Sequence, residues 1–176
     1  MARLAQAADP FWREKSPEVS SKKIPVSFKK GQVAVFMEMH SNESHNTYSK
    51  IKAGCNTVNL EAVRVDEKSG AEIIMKDIDK MIGNAEFLIF DLTEERQNVY
   101  YELGYAHGIG NGAYNILLVG KEGTKIHFDI SPLRIHFYHS PDHLQSLIAT
   151  QLKSLQIKKL NETFLVPKKS YWWKFW

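Results

Sequence analysis

Two carboxylates frame the stretch FLIFDLTEERQNVYYELGYAHG, residues 87–108. Asp91 ends a continuous apolar run, and Glu102 lies eleven positions later in a segment of helical spacing. An acid at the mouth of a buried strand, followed by another in the first turns of a helix, is material for a nucleophile, an acid or a base. Apolar surroundings move such groups away from their ordinary pKa. The same residues also have a plainer reading. Asp commonly opens a loop, and Glu in a first helical turn complements the helix dipole. Spacing alone leaves both readings open. Asn98 is read as the N-cap of this helix and shares a face with Glu102 and Tyr105. Arg96, Thr93 and the N–H groups of the 92–98 loop are the candidates for holding a phosphate at the helix N-terminus.

These groups need elements to position them. QVAVFMEMH (32–40) reads as a first strand, 44–55 as a helix, and NLEAVRVD (59–66) as a second strand. Residues 70–85 carry Ile74, Ile78, Met81 and Ile82 at helical spacing. EFLIF (86–90) suits a central strand buried on both faces. A third helix over 98–110, strands over 114–120 and 134–138, and a last helix over 141–156 complete the pattern. The alternation predicts an α/β fold, a flavodoxin/Rossmann-like three-layer sandwich with a five-stranded, mainly parallel sheet. In such sheets ligands bind beyond the carboxyl ends of the strands, which is where Asp91 falls.

The chain of 176 residues suits one domain, with 43% hydrophobic and 24% charged residues. The net charge of +3 conceals an asymmetry: residues 1–30 and 157–176 each carry +4, leaving −5 for the centre. This divides the chain into a basic N-terminal arm (1–30), an α/β domain (31–156) and a basic aromatic C-terminal tail (157–176) ending in YWWKFW. No apolar window reaches the length of a membrane span, and no signal-peptide core opens the chain. The single Cys55 excludes an internal disulfide. A cytoplasmic location is expected. Nucleic acid is not indicated, because the basic charge belongs to the ends. Arm and tail make a homo-oligomer the expected assembly. His136, His139 and His143 do not form a known metal pattern, so no metal and no resident cofactor are expected.

The stretch FLIFDLTEERQNVYYELGYAHGIG looks like the signature of the nucleoside 2-deoxyribosyltransferase-like superfamily. Within it, the likeness is to the bacterial branch of Toll/interleukin-1-receptor-like nucleotide-binding domains. KIHFDISPLRIHFY (125–138) and VDEKSGAEIIMKDIDKMIGNAEFLIFDLT are similar to further segments of that branch, so the resemblance covers about residues 32–150. It implies that Glu102 attacks or stabilises the anomeric carbon of a sugar. It implies that Asp91 contacts the ribose or orients Glu102, and that Tyr105, Met39 and His40 line the sugar or base pocket. Where the transferases have a second Asp, this chain has Asn98-Val99, as the bacterial branch does. An ordinary base leaves poorly unless protonated, whereas the nicotinamide of NAD is already cationic. Loss of one acid therefore points to NAD-type substrates, without excluding deoxynucleotides, for which Asp91 would be the acid.

Two readings follow: a nucleotide N-glycosidase or glycosyl transferase serving as a bacterial defence effector, and a non-catalytic nucleotide-binding module using the same cleft. A third, a self-assembling interaction domain, rests on the arm and tail.

Overall fold

The computed structural model describes residues 29–64 and 74–165. The expectations for the arm up to residue 28, for the 65–73 connection and for the aromatic segment from 166 onward lie outside the described residues.

Five strands form one sheet: β1 (Lys29–Phe36), β2 (Glu61–Arg64), β3 (Ala85–Asp91), β4 (Ile116–Lys121) and β5 (Ile135–Tyr138). Their order is β2-β1-β3-β4-β5 and every pairing is parallel. The helices are α1 (Asn42–Thr57), α2 (Ile74–Asn84), α3 (Gln97–Gly108) and α4 (Pro141–Leu165). This is the α/β, flavodoxin-like arrangement that the alternation predicts.

β3 is the central strand because its residues are apolar on both sides. Phe87 and Ile89 join a core with α1 and α4, while Leu88 and Phe90 join a second core with α2 and α3. Phe36 stacks on Phe90 at 4.8 Å between ring centres, tying β1 to β3 on the second face. The first core depends on close approach of two helices. A Cβ at Gly54 of α1 would lie 2.7 Å from the Gln145 carbonyl oxygen and 2.9 Å from Ile148 Cβ on α4. From α4, Leu144, Ile148, Leu152 and Leu155 form the buried stripe against α1 and the sheet.

Three of the boundaries that differ from expectation bear on the site or on the division of the chain. β1 ends at Phe36, so Met39 and His40 belong to the loop and not to a strand edge. The Glu38 side chain accepts hydrogen bonds from that loop and turns the chain there. β1 also begins inside the stretch assigned to the arm. At the other end α4 runs on to Leu165, past the expected stop at 156 and into the stretch assigned to the tail. Beyond Leu155 its apolar residues Ile157 and Leu160 are exposed, so the stripe that marks a core-facing helix fades before the helix ends.

Candidate active site

Asp91 is the last residue of β3 and pairs with Val119 of β4. Alternation along the strand places it with Phe87 and Ile89, on the α1/α4 face. It is buried, and its carboxylate accepts the Thr93 N–H at 3.0 Å and the Thr93 hydroxyl at 2.5 Å. The Thr93 hydroxyl lies 3.0 Å from that of Tyr138 and accepts the Lys121 N–H at 3.0 Å. Burial raises the Asp91 pKa, the Thr93 hydrogen bonds work against that, and the charge of Glu94 adds to it. The Tyr138 hydroxyl is pushed up to about 12, first by burial and then by the Asp91 charge. The hollow beside Asp91, bordered by Glu38, Ser44, Thr47, Glu94 and Tyr138, measures about 10 Å³. That is space for about one water and not for a sugar.

Glu102 occupies the other side. It sits in α3, whose Val99, Leu103 and Ala106 pack into the core shared with α2. The residue is 7% exposed; none of the described residues bonds or pairs with its carboxyl, whose oxygens are not among the enclosed atoms and keep contact with solvent. Desolvation pushes its pKa up to about 7. It is thus a carboxyl that exchanges its proton near neutrality, on a helix that leaves the carboxyl edge of the central strand.

The two acids therefore do not converge. Asp91 faces α1 and α4, Glu102 belongs to the α2/α3 layer, and no hydrogen bond among the described residues links them. Glu102 does not line the hollow beside Asp91, so that hollow is not one the two acids share. Asn98 is not the N-cap: the helix opens at Gln97, Arg96 holds the cap position without a side-chain bond, and Asn98 is exposed. The turn before it reverses at Glu95, whose φ of 49° is left-handed. Arg96 is exposed and Thr93 is engaged with Asp91. Tyr105 is half-buried, and burial, then Asp79 of α2, raises its pKa. Met39 packs against the α2/α3 core, on the layer of Glu102, while His40 is exposed. Of the proposed pocket residues, Met39, Tyr105 and Glu102 share a layer; Thr93 and Asp91 form a separate cluster.

Sequence reasoning assigned no role to Glu38, Ser41 or Tyr138. Glu38 was visible as the one acid inside an apolar run, Met37-Glu38-Met39. Among the described residues no group of three metal-ligating side chains converges, and no helix is long and apolar enough to cross a membrane.

No family model matches the chain, and no curated protein does. Solved structures do. A flavoprotein from Thermotoga maritima superposes with a TM-score of 0.55 at 17% identity over 76% of this chain and 38% of that one. A mutant flavo di-iron protein of the same organism gives 0.55 at 18% identity, with the same coverage. A diflavin flavoprotein from Nostoc sp. gives 0.52 at 10% identity, over 76% of this chain and 99% of that one. At these identities the likeness is one of fold. The chain spans well under half the length of the Thermotoga proteins.

Proposed function

We propose that the chain is a nucleotide N-glycosidase or glycosyl transferase of the deoxyribosyltransferase-like type, in which Glu102 is the reacting carboxylate. The observation that supports this most is the state of Glu102: buried, unpartnered among the described residues, and raised to a pKa of about 7. A largely buried carboxyl that no neighbour pairs, yet whose oxygens still reach solvent, is open to a reacting partner from outside. In the proposed step the ionised Glu102 bonds to the anomeric carbon as the bond to the base nitrogen breaks and the electron pair departs with the base; water then releases the sugar. In this reading Asp91, whose carboxylate is held by Thr93, keeps that structural bond and is not called on to protonate a leaving base. That favours substrates whose base leaves without protonation, of which NAD is the type. A role in bacterial defence and a homo-oligomeric assembly belong to this reading through the family resemblance alone.

The second reading is a nucleotide-binding module without catalysis, whose nucleotide would have to sit outside the hollow at Asp91, since that hollow has no room for a sugar. Incubation of the protein with NAD, deoxynucleoside monophosphates and deoxynucleosides, with chromatography for free base, separates the two. Base release supports the glycosidase. A nucleotide-dependent rise in melting temperature without base release supports the module.

A further inference from the structure

The proteins that share this fold are named as flavoproteins, which raises the question of whether a flavin phosphate fits here. The strand order reverses between β1 and β3, and in doubly wound sheets of this order flavin mononucleotide sits at that switch point. The loop after β1 leads into α1, and free N–H groups at such a helix start are what a phosphate uses. In this chain three of the donors around that helix start, the N–H groups of His40, Ser41 and Ser44, are already taken. Glu38 accepts the His40 N–H at 2.6 Å on one oxygen. On the other it accepts the Ser41 N–H at 3.2 Å and the Ser41 hydroxyl at 2.8 Å. Ser41 in turn caps α1, its hydroxyl oxygen accepting the Ser44 N–H at 3.0 Å, and the Ser44 hydroxyl donates to the Ser41 carbonyl at 2.7 Å.

The surroundings also repel an anion. Glu43, Asp91 and Glu94 line the same small hollow, and the nearby Lys121 ammonium is bonded to Glu43 at 2.7 Å. We propose that Glu38 is a built-in substitute for a phosphate: it fills the anion seat of the β1–α1 loop and shuts that seat to flavin mononucleotide and other phosphate-led ligands. Burial alone would raise its pKa. The bonds from the His40 N–H and the Ser41 hydroxyl and N–H, with Ser44, outweigh burial and hold it down at about 2, so the substitute is charged throughout the neutral range. A phosphate-bearing ligand then has to place its phosphates away from this loop, which makes Glu38 a residue that determines specificity. The inference is independent of the glycosidase reading, and its test involves no base release.

The test uses the full chain as wild type, Glu38→Ala and Glu38→Ser. Flavin mononucleotide is titrated while its fluorescence is followed. Melting temperatures are compared in inorganic phosphate and in chloride at equal ionic strength. The wild type is expected to leave the flavin unquenched and to melt alike in both salts. The Ala variant is expected to gain about 3 °C or more in phosphate, as the freed N–H groups take the ion. If that variant does not fold, Glu38→Ser, whose short side chain also vacates the seat, is expected to show the same gain. Quenching or phosphate stabilisation in the wild type, or no phosphate gain in a folded variant, overturns the proposal.

Discussion

Asp91 and Glu102 stand in different layers, on opposite sides of one sheet, although only a short turn joins β3 to the helix that carries Glu102. The two carboxyls consequently meet different physics. Asp91 is held by Thr93 within a chain of hydroxyls that reaches Tyr138. Glu102 has burial and no compensating bond among the described residues.

The raised Glu102 pKa fixes a pH dependence of stability. A carboxyl whose folded pKa lies above its unfolded value binds its proton more tightly when folded. Its contribution is full below about 4.5 and is lost as pH rises towards about 7. Urea unfolding of the wild type across this window should show a loss on the order of 3 kcal/mol. Glu102→Gln, which does not titrate, should flatten that part of the profile and be the more stable protein above pH 7.

The ionised form is the one the proposed step needs. With NAD as substrate, turnover should rise through a pH of about 7 and then level off. A rate that falls over the same range identifies Glu102 as a proton donor instead.

Thr93→Val removes the hydroxyl that Asp91, Tyr138 and the Lys121 N–H share. Leaving a buried carboxylate short of a donor should cost about 2–3 kcal/mol in urea unfolding. Thr93→Ser keeps the hydroxyl and should recover most of that.

Much of the fold was legible because hydrophobic period tracks burial. EFLIF reads as a doubly buried strand and is one, and Ile78, Met81 and Ile82 mark a core face that the structure uses. Which face of the sheet each acid meets was not legible. That depends on strand order, and the order of elements along the chain does not reveal that β1 lies between β2 and β3. The loop after β1 was misread for a local reason: Met37 and Met39 extend the apolar run, while Glu38 between them turns inward to its own backbone. The end of α4 was missed because Ile157 and Leu160, just past Leu155, are exposed and do not continue the buried stripe.

Gly54→Ala places a methyl group 2.7 Å from a backbone oxygen of α4, which a side-chain shift cannot relieve. The gain of about 1 kcal/mol in helix propensity should be outweighed. Thermal or urea unfolding should show a net loss of about 1–2 kcal/mol.

Cys55 is buried, and desolvation pushes its thiol up to about 12. A thiolate-selective reagent should leave the native protein unlabelled at pH 8 and label one thiol per chain once urea unfolds it.

The most direct measurement for Glu102 as the reacting carboxylate is the rate of base release by wild type and Glu102→Gln, side by side on the same nucleotide, with both shown to be folded. The account predicts release by the wild type and a rate at least about 100-fold lower in the variant. Release by the variant at the wild-type rate would contradict it.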